Sequence, residues 1–274
     1  METEPFDLAA AALVIAKIEY PRLDPSSTVS RLNALGDRGA ERLRAVSDSP
    51  VRTRVAELNR LLYDDERFTG NRTHYGDFRN SLLNIVVERR VGIPISLALV
   101  YIEVARRSGL EVFGVSFPGH FLLRLPADAG RDTDAAIILD PFDRGRELNR
   151  HECHALLRNH LGDDAGFDPT LLEPCTGRQF LARILNNLKR TYVEQRCFPQ
   201  ALMATDLLMT VDPTFDVELR DRGLLAYRLD DFSSALRDLE HYLRLHDWTN
   251  AERDERDRLW EHVKTLRQRT AGLN

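Results

Sequence analysis

The stretch that decides the fold is R-V-G-I-P-I-S-L-A-L-V-Y-I-E-V-A-R-R-S-G-L-E-V-F-G-V-S-F-P-G-H-F-L-L-R-L, residues 90–125. Pro94 suits the first position of a helix, where a backbone N–H has no partner to lose, and Gly109 suits the left-handed residue that ends one. Apolar residues surround much of the axis between them, and such a helix lies in the middle of a domain. We therefore expect a buried helix of about four turns.

The period of the apolar residues changes after this helix. Short apolar runs at 112–117, 121–125 and 136–139 are typical of strands, and Pro118-Gly119 and a polar loop at 126–134 separate them. The segments before the central helix have the helical period instead. A domain that contains both kinds of element is expected, and the helices cover one side of the central helix.

The helical period recurs along the N-terminal part of the chain. It covers residues 8–18, 25–35, 39–46 and 51–62, and a further helix is expected at 82–90, directly before the central one.

Three polar residues stand at the ends of the central elements. Ser96 lies in the first turn of the expected helix, His120 begins a strand and Asp140 ends another. This order, a small nucleophile at a helix start followed by His and Asp on adjacent strands, resembles the papain-like transglutaminase core.

The resemblance extends to longer motifs. R-N-S-L-L-N-I-V-V-E-R-R-V-G-I-P-I-S-L-A-L-V-Y, S-F-P-G-H-F and L-D-P-F resemble the SirB-type family of bacterial proteins, over about residues 12–245. The resemblance implies an α+β fold: a papain/transglutaminase-like core with a helical N-terminal part, followed by an all-α tetratricopeptide-like repeat domain. It also implies that His120 and Asp140 lie side by side.

One departure from true transglutaminases concerns the nucleophile. A thiol would have to fall at residues 94–96, and no cysteine is there. Cys153, Cys175 and Cys197 all follow His120, whereas the transglutaminase order is Cys, His, Asp. We expect these thiols to be buried or half-buried structural groups.

Ser96 has two interpretations. A serine hydroxyl is far less acidic than a thiol, so it could react only with His120 as general base and Asp140 as the group that orients it. A first-turn serine can also simply satisfy an orphan backbone N–H. We predict a non-catalytic, protein-binding adaptor or regulator in bacteria; the alternative is an amide or ester hydrolase or acyl transferase that uses Ser96, His120 and Asp140.

A turn-rich loop, F-T-G-N-R-T-H-Y-G-D-F-R-N-S at 68–81, precedes the central region. Long loops between packed elements often carry function. We assign Asn80, Asn84 and Pro94 to a candidate binding cleft; the alternative is that the asparagines cap helices and hold the loop.

The C-terminal part contains a repeat. Equivalent residues recur 34 residues apart, which is the tetratricopeptide period: Phe198 and Phe232, Ala201 and Ala235, Leu208 and Tyr242. A polar segment, G-D-D-A-G-F-D-P-T, begins at residue 162 and is interpreted as the linker before it.

These patterns predict two domains. Residues 1–162 form the transglutaminase-like domain with its helical N-terminal region, and residues 163–274 form the repeat domain. The repeats cover about 180–213 and 214–247, and a helix at 250–266 caps them, because so short an array needs its end covered.

The charge pattern restricts the partners and the compartment. A net charge of -5, with arginines interleaved among acidic residues, argues against nucleic acid. No apolar run approaches the length of a membrane span, and M-E-T-E-P lacks the basic start of a signal peptide. We expect a cytoplasmic protein whose unknown protein or peptide partner binds the repeats and the cleft.

No cofactor is expected, since the chain has neither a nucleotide motif nor a Gly-rich phosphate loop. The only metal-like pattern is H-E-C-H, in which His151 and His154 lack the i,i+4 spacing of zinc helices and an obvious third ligand. We predict no metal site.

Overall fold

The computed structural model describes residues 7–126, 136–213 and 216–271. The first six residues and most of the polar loop at 126–134 lie outside this part of the chain. The described helices are α1 (Leu8–Ala16), α2 (Ser26–Ala45), α3 (Val51–Asn59), α4 (Leu83–Arg89), α5 (Pro94–Arg107), α6 (Arg150–Leu161), α7 (Gly177–Glu194), α8 (Phe198–Val211), α9 (Val217–Arg228), α10 (Phe232–Leu245) and α11 (Arg253–Ala271). The described strands are β1 (Thr69–Gly70), β2 (Val91–Gly92), β3 (Phe113–Val115), β4 (Leu122–Leu125), β5 (Ile137–Asp140) and β6 (Arg146–Leu148).

The buried central helix is α5. Pro94 occupies its first turn, and Gly109 follows its end with a φ of 78°. Eleven of its 14 residues are buried. The expected buried helix that begins at Pro94 and stops at Gly109 is therefore confirmed.

Helix α2 packs closely against α5. The sequence suggested two helices here, at 25–35 and 39–46, but the structure has one continuous helix. Gly36 lies within it at the contact, where an added Cβ would lie 2.3 Å from the Cβ of Arg107. The glycine thus permits close helix packing instead of ending the helix, and this contact cannot be recognised from local sequence.

Strands β3 to β6 form an antiparallel sheet in chain order. Its register pairs Gly114 with Leu123, and Leu123 with Leu139. β6 was not predicted, because it is only three residues long and two of them are exposed. The short parallel pair β1 and β2 joins the loop at 68–81 to the start of α5.

Contacts divide the chain into two compact units, residues 1–184 and 185–274. The boundary lies inside α7, later than the polar segment at 162 suggests. The intervening residues pack on the first unit: the Cys175 N–H donates to the Gly114 carbonyl at 2.8 Å, and the Phe180 ring lies 4.6 Å from that of Phe121. A polar composition therefore does not mark the boundary here.

The second unit is helical, as the repeat pattern implies. The repeat-equivalent residues Ala201 and Ala235 are both fully buried. Helix α11 packs Leu259, Val263 and Leu266 into the same apolar cluster as residues of α9 and α10. No described helix in either unit is long and apolar enough to cross a membrane.

Candidate functional site

The structure brings His120 and Asp140 together. Asp140 ends β5 and caps the 3-10 turn Pro141–Asp143, so its Oδ1 accepts the N–H of Phe142 at 2.8 Å. The same oxygen accepts from His120 Nε2 at 2.9 Å. Asp140 is buried and His120 is half-buried. The carboxylate thus holds the imidazole in one orientation, which is what such a pair does in both catalytic and structural sites.

Phe142 forms the wall beside this pair. Its ring lies edge-on to the His120 ring at 6.2 Å, and the Arg72 guanidinium lies over it at 4.8 Å. Gly70 passes so close that an added Cβ would lie 2.4 Å from the ring. The loop at 68–81 is therefore anchored on Phe142.

Tyr63 supports the turn that follows Asp140. Its hydroxyl donates to the Pro141 carbonyl at 3.1 Å. Burial raises the pKa of Tyr63 well above its ordinary value, and the neighbouring Tyr101 and Asp140 raise it further. The phenol therefore stays protonated and serves as a hydrogen-bond donor.

Ser96 is fully buried, and its hydroxyl is engaged by backbone. It donates to the Asn80 carbonyl at 2.5 Å and accepts the Ile93 N–H at 3.0 Å; the Ile93 carbonyl is 3.1 Å away. No hydrogen bond among the described residues joins Ser96 to His120. The serine caps the start of α5 and ties it to the segment before α4.

The three residues assigned to the cleft have different surroundings. Asn80 is fully buried; its Nδ2 donates to the His74 carbonyl at 2.8 Å, and its Oδ1 accepts from Asn71 Nδ2 at 3.1 Å. Asn80 therefore holds the loop, which is the alternative weighed from the sequence. Asn84 Oδ1 is enclosed without a partner in the described structure, and Pro94 is buried in the first turn of α5.

Cys153, Cys175 and His154 have the surroundings of structural residues. Burial raises the pKa of both Cys153 and Cys175 to about 11, so neither thiol is ionised near neutrality. His154 of the H-E-C-H pattern donates from Nε2 to the Ala165 carbonyl at 3.0 Å. Within the described ranges, no group of three His, Cys, Asp or Glu side chains could hold a metal ion.

Sequence reasoning did not single out Phe142 or Tyr63. Phe142 stood in the L-D-P-F motif, directly after Asp140-Pro141, and its aromatic ring at a turn was the available signal. Tyr63 had no local signal, because its role depends on Pro141, 78 residues away.

Comparisons with known proteins identify the two regions of the chain and its family. A family model described as the transglutaminase-like superfamily matches residues 27–186, and a tetratricopeptide repeat model matches residues 188–264. A UPF0162 protein from Xylella fastidiosa (strain Temecula1 / ATCC 700964) is 40% identical over 253 residues, which are 91% of this chain and 88% of that protein. The chain belongs to the UPF0162 family. A UPF0162 protein from Vibrio cholerae is 31% identical over 201 residues, 73% of each chain.

A more distant likeness covers only part of this UPF0162 protein. Human F-box only protein 21 is 39% identical over 107 residues, which are 38% of this chain and 17% of that protein. No solved structure matches the chain.

The fold class predicted for this UPF0162 protein is confirmed. A transglutaminase-like region of mixed helices and small sheets is followed by a helical, tetratricopeptide-like region. The two family matches meet at residues 186 and 188, close to the division of the contacts after Ile184.

Proposed function

We propose that this UPF0162 protein is a non-catalytic adaptor or regulator that binds other proteins in bacteria. In this proposal the transglutaminase-like core is a scaffold and the repeats make the contacts with the partner. The observation that carries it is the buried Ser96 hydroxyl, bonded to the Asn80 carbonyl and the Ile93 N–H at the helix start where a transglutaminase needs its thiol.

Chemistry at this helix start argues for a scaffold. A nucleophile must be within hydrogen-bonding reach of its base and accessible to substrate. The Ser96 proton goes instead to a carbonyl, and the side chain is fully buried. The thiols of Cys153 and Cys175 have raised pKa values. His120 and Asp140 then act as a structural hydrogen bond that ties the start of β4 to the end of β5.

The tetratricopeptide match supports protein binding. Stacked helical repeats present extended surfaces that such proteins use for partners. The half-exposed residues of the second unit include Val193 and Met203, at 44% and 45% exposure, so apolar contact surface is available there. The partner in this proposal is a protein or peptide held by the repeats.

The finer parts of the proposal concern the family and the compartment. The SirB-type motifs support a regulatory role, and nucleic acid and membrane are not the proposed partners. The cysteines Cys153, Cys175 and Cys197 are free thiols, which favours the reducing cytoplasm.

The test is covalent labelling of the folded protein with a fluorophosphonate, a probe that modifies serines activated by a histidine. We expect no modification of Ser96, in the parent protein and in the His120→Ala variant alike. An established serine hydrolase treated in parallel shows that the probe is active. Labelling of Ser96 that disappears in His120→Ala would contradict the proposal and would support the hydrolase.

A second experiment identifies the proteins that bind the chain. Proteins that co-purify with the tagged full-length chain are compared between the parent and His120→Ala. We expect the same set from both, because the pair has no chemical role in the proposal. Loss of the whole set in a folded His120→Ala variant would show that the core takes part directly.

A further inference from the structure

The second unit carries an open groove, and the proposed function does not say what chemistry a partner bound there would have. It lies between the C-terminal half of α7 and helix α9, and its volume is about 660 Å³. Val193, Phe198 and Leu224 supply its apolar surface. A groove of this size accepts a few side chains of an extended peptide.

Four basic and two acidic side chains line the groove. Lys189 Nζ lies 2.7 Å from a carboxylate oxygen of Asp221, and the pair is largely enclosed. Arg190 lies 3.9 Å from Glu194 on the same helix. Each of these pairs contains one positive and one negative charge, so among the side chains that line the groove the remaining two determine the charge that a ligand meets.

The remaining two are Arg196 and Arg228. Arg196 follows α7 in the left-handed conformation, with a φ of 60°, and Arg228 lies in the last turn of α9. Neither has an ion pair with any residue that the structure describes. The groove thus offers two unpaired guanidinium groups on a chain whose net charge is -5.

We propose that this groove binds an acidic, extended segment of a partner protein. Carboxylates of the segment pair with Arg196 and Arg228, because a guanidinium matches a carboxylate with two parallel hydrogen bonds. An apolar side chain of the segment packs on Val193 and Phe198. The proposal rests on the adaptor function and deepens it by naming the chemistry of the partner. Nucleic acid is disfavoured because phosphate-binding surfaces concentrate more positive charge than two arginines.

The experiment is selection from a random-peptide display library on the immobilised full-length chain. We expect a consensus with at least two acidic residues around an apolar one. The double variant Arg196→Glu/Arg228→Glu should select basic residues instead, and it should bind the best acidic peptide about a hundredfold more weakly than the parent does. Higher salt should weaken the parent's binding of that peptide.

The matched control is Arg244→Glu. Arg244 and Arg228 each lie in the last turn of their helix, so Arg244→Glu makes the same charge change as Arg228→Glu at the same kind of position. Arg244 does not line the groove. We expect this variant to select the parent's consensus. If the double variant does not fold, as judged by circular dichroism, Arg228→Glu alone should weaken binding about tenfold, because Arg228 is exposed and its replacement disturbs no packing.

Several results would overturn the inference. They are a consensus without acidic residues, an acidic consensus that the double variant keeps, no enriched peptide at all, and displacement of the peptide by single-stranded DNA at equal concentration. Each leaves the adaptor function in place, because that function is tested separately by the labelling of Ser96 and by co-purification. Activity at Ser96 would remove the adaptor function without changing the peptide result.

Discussion

Ser96 Oγ lies 2.5 Å from the carbonyl oxygen of Asn80 and joins the start of α5 to the segment before α4. The same oxygen accepts the Ile93 N–H at 3.0 Å. One buried hydroxyl therefore satisfies a donor and an acceptor of the backbone where a related enzyme would carry its nucleophile. The Ser96 hydroxyl therefore connects two chain segments and contributes to the stability of the fold.

Ser96→Ala should lower the free energy of unfolding by about 1–3 kcal/mol, since it leaves a buried carbonyl and a buried N–H without partners. Urea denaturation measures this loss. Ser47→Ala is the control, because Ser47 is exposed, and it should change stability by less than about 0.5 kcal/mol. A Ser96→Ala variant as stable as the parent would show that the hydroxyl has no structural role.

Gly70→Ala should destabilise the loop beside His120. The new Cβ would lie 2.4 Å from the Phe142 ring, so the loop or the ring must move, at about 1–3 kcal/mol. Gly76→Ala is the matched control in the same loop, where an added Cβ meets nothing within 4 Å. Urea denaturation of both variants distinguishes the clash with Phe142 from a general effect of replacing glycine. Equal free energies of unfolding for the two variants would show that the clash has no effect.

Lys189→Met should destabilise the second unit strongly. Lys189 Nζ contacts the carboxylates of Glu218 and Asp221 at 2.8 and 2.7 Å. Its loss leaves the buried Glu218 without a cation, while Asp221 keeps Arg220, and we expect a cost of about 3 kcal/mol. Lys264→Met removes an exposed pair with Glu261, and we expect less than about 1 kcal/mol. Thermal unfolding followed by circular dichroism compares the two, and similar shifts in Tm would contradict this account.

Stability should depend on pH through His246. Its hydrogen bond to Asp216, supported by Glu252, raises the pKa of His246 above the ordinary 6.5. The charged form is therefore favoured by folding: its contribution is complete below 6.5 and is lost as the pH rises through the raised value. The free energy of unfolding should fall over that interval in the parent and fall less in His246→Gln. His241, an exposed histidine of α10, the helix that His246 follows, provides the control: His241→Gln should retain the parent's profile. An unchanged slope in His246→Gln would exclude the His246–Asp216 pair as the source of the pH dependence.

Much of the fold could be predicted because its signals are local. Pro94 and Gly109 bracket α5 through the backbone geometry that each residue favours, and no distant contact is needed for that. The 34-residue spacing of Ala201 and Ala235 predicted the helical repeats, since each repeat buries the same face. The apolar runs before and after His120 predicted strands because a short apolar run between turn residues is also a local signal, although the predicted bounds were approximate.

Other features depended on contacts between distant segments. Gly36 permits the close approach of α2 to α5, so one helix replaced the two that were expected. The residues after 162 are polar in sequence yet pack on the sheet through Phe180 and Cys175. Strand β6 is too short and too exposed to carry an apolar period.

The candidate site also has features set by local sequence and features set by contacts between distant segments. The sequence by itself determined which side chains are present: Ser96 at a helix start without a cysteine, and His120 and Asp140 at strand ends. The tertiary structure decided what they touch. A hydroxyl can rotate toward any acceptor within reach, and the acceptor here is the carbonyl of Asn80, 16 residues earlier, which α4 and the β1–β2 pair bring to the start of α5. Local sequence cannot specify that direction, because it is set by chain segments that meet only in the folded protein.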